Sequence, residues 1–250
     1  MPVKPSTPDA RFLRLGGRVL EAIANYHDHR VYGLEHLPRK GRAMIVVNHS
    51  FATYDIGLLV LAIYKHTGRL IRGLGDRALF RTPIIATISR KSGVMVGSPE
   101  HAQTLFAHDK LVLVAPGGMM EALRTSEERY QIRWQNRKGF IREAILAQAP
   151  VILAACPQAD DLYQIYNTPF TNWIYEKHRM PFTLLRGVGP TLIPRKVPLT
   201  HRLSEPLIPP TVPADDVDLR AAVDEFHEMV CRRMESLMLE ALNSTTNPDD

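Results

Sequence analysis

A single α/β domain, an open mixed sheet flanked by helices, is the fold class the sequence predicts, and three observations predict it. Short apolar runs at Ala43–Val47, Leu111–Ala115 and Val151–Ala155 have the length and branched content of buried strands. Between them lie segments whose apolar residues recur every three or four positions, the period of a helix packed on one side. The chain has 250 residues, enough for one well-filled domain and too short to require two.

The elements follow in order. Arg11 to Tyr26 reads as an amphipathic helix, with Phe12, Leu15, Val19, Ile23 and Tyr26 on one stripe and Arg11, Arg14 and Arg18 off it. Two readings stay open for that stripe: packing on the domain, or lying in a membrane interface. Residues 1–30 are set apart as this helical segment and 31–242 as the main domain. Val31 to Pro38 reads as a short strand and turn, and Arg39-Lys40-Gly41-Arg42 as a basic loop before the strand Ala43–Val47. A helix is expected over Asp55 to His66, with Ser50 or Thr53 near its start as a cap. Strand Ile71–Leu74, helix Thr82–Ser89 and strand Val94–Val96 come next, then strand Leu111–Ala115, which ends in Pro116-Gly117-Gly118. Gly139–Ala147 reads as a helix ahead of strand Val151–Ala155. The pattern breaks up between Asp160 and Pro210, where prolines are frequent. A C-terminal helix carries Leu219, Val223, Phe226, Val230 and Leu237 on one stripe, and a disordered tail is expected over 243–250.

Composition narrows the partners. Hydrophobic residues make up 45% and charged residues 23%, the balance of a globular domain. The formal charge is +5 and the isoelectric point about 9.3, which favours an anionic partner such as a membrane surface or a phosphorylated cosubstrate. No aromatic-interleaved basic stripe or nucleic-acid motif is present, so no nucleic-acid partner is expected. Cys156 and Cys231 have no zinc or redox spacing and read as buried, reduced thiols. The segment Met1–Ala10 shows no signal-peptide pattern, and the longest apolar run, Ile56–Tyr64, falls far short of a bilayer span of roughly twenty residues. A cytoplasmic protein held peripherally on the cytoplasmic face of a membrane is the resulting expectation.

Three constellations carry chemistry. His49 follows the strand Ala43–Val47, and Asp55 stands six positions later at a helix start, where the helix dipole favours a carboxylate. A carboxylate bonded to one imidazole nitrogen leaves the other free as a general base. Pro116-Gly117-Gly118-Met119-Met120-Glu121 follows a buried strand, and its paired glycines let backbone N–H groups approach a developing oxyanion or a phosphate. Glu121 falls just inside the next turn. Arg124, Arg129, Arg133, Arg137, Lys138 and Arg142 form a basic stretch suited to phosphates, an acidic lipid surface or plain solvation. Tyr130 and Trp134 within it are read as core residues or as interface anchors.

In their order, these residues resemble the glycerolipid (lysophospholipid) acyltransferases. The resemblance rests on Gly33-Leu34-Glu35-x-Leu37-Pro38, Val47-Asn48-His49 to Asp55, Pro116-Gly117-Gly118-x-x-Glu121-Ala122, Lys138-Gly139-Phe140-x-Arg142 and Ala149-Pro150-Val151-Ile152, over about residues 31–210. It implies an α/β fold like that of glycerol-3-phosphate acyltransferases. It further implies His49 as general base on an acceptor hydroxyl, Asp55 orienting it, and acyl-CoA or acyl-carrier protein as cosubstrate, with no acyl-enzyme, cofactor or metal. Gly117, Gly118, Glu121 and Arg124 become the oxyanion and substrate-binding set. The spacing here is His-x5-Asp, one longer than the family's usual His-x4-Asp, and Pro-Gly-Gly-x-x-Glu-Ala stands where phosphate-acceptor members have Glu-Gly-Thr-Arg. Both departures resemble the branch with type-2 diacylglycerol acyltransferases, phytyl-ester synthases and the transmembrane-protein-68 group. They imply a neutral acceptor such as diacylglycerol or a long-chain alcohol. Three rivals remain: a lysophosphatidate-type acyltransferase, a serine hydrolase using Ser50, and a non-catalytic lipid-binding protein on the same fold.

Overall fold

Strands β2 (Ala43–Val47), β5 (Leu111–Val114) and β6 (Val151–Ala155) are fully buried on both faces, as their unbroken apolar runs require. They form the centre of the sheet. The computed structural model describes residues 7–166, 184–211 and 216–243. Ahead of β2 come α1 (Ala10–Tyr26) and β1 (Arg30–Tyr32); after it come α2 (Tyr54–Thr67), β3 (Ile71–Gly75), α3 (Pro83–Lys91), β4 (Met95–Val96) and α4 (Pro99–Ala107). Between β5 and β6 lie α5 (Gly118–Ala122) and α6 (Gly139–Leu146). Beyond β6 are β7 (Gln164–Tyr166), β8 (Leu184–Arg186), β9 (Thr200–Leu203) and a final helix, α7 (Asp216–Asn243).

The main sheet runs β1-β9-β6-β2-β5-β3-β4. All neighbours pair in parallel except β6 with β9, so the sheet is mixed, as expected. Strands β7 and β8 form a separate antiparallel pair. Alternation along each strand divides the core. Met44, Val46, Val112, Val114, Val151 and Leu153 face α4, α6 and α7, whereas Ala43, Ile45, Val47, Leu111, Ile152 and Ala154 face Leu59 and Ile63 of α2. Trp134 is buried in the first of these layers, and the Tyr130 hydroxyl donates to Asp161, so both are held within the domain.

Several expectations change. The α1 stripe is divided. Phe12 and Ile23 are half-buried, while Leu15, Val19 and Tyr26 are exposed. The reason is that α1 seats its glycine-containing side on α2, where Leu20 meets Gly57 and Gly17 lies near Leu61. Helix α4 was not foreseen, although Ser98 caps it by accepting the His101 N–H and Pro99 opens it. Strands β7, β8 and β9 emerge from the stretch left unassigned. Cys156 is buried and Cys231 only half so. Asn243 still belongs to α7, and the rest of the expected tail lies outside the described residues. Among the described residues, no helix is long and apolar enough to cross a membrane.

Candidate active site

The chain leaves β2 toward β3 on one side of the sheet and leaves β5 toward β6 on the other, past β2. Such a reversal opens a crevice at the carboxyl ends of the strands, the usual ligand position in open α/β sheets. His49 stands there, two residues beyond β2. Asn48 fastens the strand end first: its side chain donates to Cys156 O (3.2 Å) and accepts the Cys156 N–H (2.8 Å), tying the exits of β2 and β6 together. The loop to α2 then closes on Thr53 in the left-handed region (φ 57°). A β-branched residue there costs on the order of 1–3 kcal/mol, so the surrounding contacts must impose it.

The His49 ring lies 2.9 Å, through Nδ1, from the carbonyl oxygen of Ser50. A carbonyl only accepts, so Nδ1 carries the proton and the neutral ring presents Nε2 as a base. Burial holds His49 below its ordinary pKa, and the nearby Arg124 charge acts in the same direction. The imidazole is therefore neutral, and basic, at neutral pH.

The expected direct bond between His49 and Asp55 is not formed. Asp55 is buried, and its Oδ1 accepts from the Ser50 hydroxyl at 3.0 Å. Ser50 thus stands between them, its carbonyl on the imidazole and its hydroxyl on the carboxyl group. This placement also removes Ser50 as a nucleophile, because its hydroxyl points to Asp55 rather than His49. Among the described residues, Asp55 Oδ2 has no hydrogen-bond partner. Burial pushes the Asp55 pKa up to about 7, against the pull of the Ser50 hydroxyl.

Glu121 and Arg124 hold the same loop from the opposite side. Glu121, fully buried in α5, accepts the His49 N–H on Oε1 (3.0 Å) and the Arg133 N–H on Oε2 (3.5 Å). Burial pushes its pKa up to about 7, while those N–H donors and Arg124 pull it back. Arg124 donates Nη1 to the carbonyls of His49 and Glu121, both at 2.9 Å, and its Nε and Nη2 engage Asp160. The His49 peptide is gripped at both its N–H and its C=O. Arg124 was expected among the substrate-binding groups, but its side chain is only 2% exposed and all its donors but one are accounted for within the fold.

The paired glycines serve this packing. A Cβ on Gly117 would lie 1.6 Å from Glu121 Oε2, so only glycine leaves room for the carboxyl group. Gly118 has φ 50° and spends its N–H on Ala115 O (3.1 Å). Arg137 covers the turn, donating to the carbonyls of Pro116 and Gly117. Sequence reading singled out His49, Asp55, Glu121, Arg124 and both glycines but missed Asn48 as the tie to Cys156, Ser50 as the link between His49 and Asp55, and Asp160 as the partner of Arg124. An asparagine next to the strand-end histidine was the available signal for Asn48; Asp160, distant in sequence, had none.

His49 borders a cleft of about 1630 Å³ at the carboxyl edge of β3 and β5. Its walls include Leu74, Leu79, Leu113, Met119, Leu123 and Phe140. Pockets for small metabolites usually measure roughly 300–1,000 Å³. This one is larger and predominantly apolar, a volume and lining that suit a lipid chain. Among the described residues, no group of three or more histidine, cysteine or acidic side chains is placed to hold a metal ion.

A neutral imidazole at the carboxyl end of a central strand, bordering a large apolar cleft, defines a class: α/β domains that set a histidine beside a lipid-sized groove. Family comparison gives that class its name, because the acyltransferase family model matches residues 28–156, just over half of the chain, and the protein belongs to that family. It is 29% identical over 224 residues to a Bos taurus protein named DGAT1/2-independent enzyme synthesizing storage lipids, and 28% identical over 225 residues to its Homo sapiens counterpart. Each match covers 87% of this chain, with 65% and 67% of those proteins, so the chain spans just under two thirds of the bovine relative's length. The fold is similar to that of the 1-acyl-sn-glycerophosphate acyltransferase PlsC from Thermotoga maritima, with a TM-score of 0.51 at 17% identity, over 91% of this chain and 78% of that one.

Proposed function

We propose that the protein is an O-acyltransferase that moves a fatty acyl group from a thioester, acyl-CoA or acyl-carrier protein, to a lipid hydroxyl. The observation that carries this is His49, whose Nδ1 is committed to Ser50 O while the ring borders the apolar cleft. The acceptor hydroxyl gives its proton to Nε2 as its oxygen attacks the thioester carbonyl. The tetrahedral intermediate collapses, the C–S bond breaks, and the leaving thiolate takes that proton. Base catalysis of this kind is worth about 10²–10⁴ in rate. The Gly117-Gly118 turn is the proposed holder of the developing oxyanion; Gly118 lines the cleft, with its N–H donated to Ala115 O within the turn, and Gly117 is buried behind it.

A neutral acceptor, diacylglycerol or a long-chain alcohol, fits best. Arg124 is consumed by His49, Glu121 and Asp160, and Arg133 and Arg142 at the cleft are paired with Glu128 and Glu143. Arg77 and Arg81 also line the cleft, so the neutral acceptor rests on the commitment of these three arginines and on the storage-lipid name of the relatives. Peripheral attachment to a membrane follows from the lipid nature of the acceptor.

The test is release of free CoA from palmitoyl-CoA by wild type and His49→Ala, with lysophosphatidate, monoacylglycerol, diacylglycerol or a long-chain alcohol offered separately. Release that needs a neutral acceptor and falls by about 10²–10⁴ in the folded variant is expected. Release without acceptor would indicate a thioesterase, and preference for lysophosphatidate would overturn the acceptor assignment.

A further inference from the structure

Helix α3 is built inside out for a water-facing helix. The two residues it buries are small, Ala86 and Ser89, three positions apart on one face. Its three isoleucines point the other way: Ile84 is 74% exposed, Ile88 49% and Ile85 43%. A surface helix ordinarily turns such residues inward and polar ones outward. Lone exposed apolar residues need no explanation, but three clustered on one helical face mark a contact surface.

The charge around that face is predominantly positive, although Asp76 precedes Arg77 and the carboxylates of Asp9 and Glu100 lie near Lys91 and Arg77. From Arg77 to Lys91 the chain holds Arg77, Arg81, Arg90 and Lys91 and no acidic residue. All four are exposed. The face also sits at the cleft, whose lining includes Arg77, Arg81 and Ile85. At its far end α3 abuts the start of α1, where the Asp9 N–H donates to Lys91 O (3.0 Å) and Lys91 lies over the Phe12 ring.

We infer that α3 is the element that seats this domain on an anionic lipid bilayer, with its isoleucines in the acyl boundary and its cations at the headgroups. Each basic group near such a surface adds to the attraction, and the apolar side chains add what they remove from water. A second copy of the chain is the poorer occupant, because a two-fold contact would set this patch of cations against itself. The inference deepens the acyltransferase reading by placing the cleft mouth against the phase that holds the acceptor, and vesicle binding is measured without turnover.

The experiment is cosedimentation of the purified chain with vesicles of phosphatidylcholine alone and of phosphatidylcholine with phosphatidylglycerol. Wild type should prefer the anionic vesicles by about tenfold or more and lose binding as salt rises. Ile84→Ser/Ile88→Ser should weaken binding by about tenfold or more, with an unchanged melting temperature and unchanged turnover of a short-chain, water-dispersed acyl donor and acceptor. Leu15→Ser/Val19→Ser should cost less than about threefold. Unchanged binding in the α3 variant, loss confined to the α1 variant, no wild-type binding to either vesicle, or a dimer that the α3 variant dissolves would each overturn the inference. Binding that persists without any acyl transfer would instead count against the acyltransferase reading and leave the docking surface standing.

Discussion

Two buried carboxyl groups approach His49 from opposite sides, Asp55 from the start of α2 and Glu121 from α5, and they act on different parts of the residue. Asp55 reaches the ring only through Ser50, so any influence it has on the proposed base would run through that serine. Glu121 touches the main chain, with Arg124 completing the grip at the carbonyl, so it bears on where the imidazole stands. On the proposed reading the Asp55 side would tune the base and the Glu121 side would position it, with Arg124 also lowering the His49 pKa, even though burial pushes both acids up to about 7.

The largest effect should come from breaking the positioning side at Arg124. Arg124→Met leaves Asp160 and Glu121 buried without their cation, a loss of the kind that costs about 3–5 kcal/mol. Denaturant melts should show it, and a variant as stable as wild type would mean that the grip is dispensable. Gly117→Ala comes next. The added methyl would occupy the place of the Glu121 carboxyl group, so it and Glu121→Gln should each cost about 1–3 kcal/mol and lower kcat while leaving KM unchanged. A change confined to KM would assign these residues to substrate binding.

Asp55→Asn tests the tuning side and should have the smallest effect on stability at acid pH, where both side chains are neutral. The folded-state pKa of Asp55 lies above the unfolded value of 3.8, so the native protein holds a proton that the unfolded chain has released. Its contribution is fully present below pH 3.8 and is lost as pH rises to about 7. Asparagine keeps an acceptor for Ser50 and has nothing to titrate. The stability of the variant relative to wild type should therefore rise by about 4 kcal/mol from acid to neutral pH, the size of a shift from 3.8 to about 7. The same substitution should remove a rise in kcat/KM near pH 7 and leave only the lower inflection of His49. A profile unchanged by Asp55→Asn would detach Asp55 from the chemistry.

Much of the scaffold was legible because its signals are local. Strands β2 and β6 have the boundaries their apolar runs predict, and α2 begins within one residue of the expected start. Strand β9 was not legible: Thr200–Leu203 includes His201, buried by pairing with strands far away in sequence. The site divides in the same way. His49, Asp55, Gly117 and Glu121 stand out by type and order, but their roles depend on partners across the sheet. Glu121 meets a main-chain N–H 72 positions away, and Arg124 turns inward because Asp160 waits 36 positions on. A short-range pattern marks a glycine as a close-approach position; only the fold shows that the approaching group is a glutamate.

The tie between Asn48 and Cys156 has a bearing on how the protein is made. Its two ends are 108 positions apart, and the carboxylate that anchors Arg124 comes later still, at Asp160. A chain emerging in order from the ribosome carries His49 long before it carries the groups that pin His49 in place. Contacts so distant form late, after the loop-closure entropy has been met. The arrangement around His49 therefore arrives only with its late partners, and an unfinished or unravelled chain displays its apolar strands before that arrangement exists.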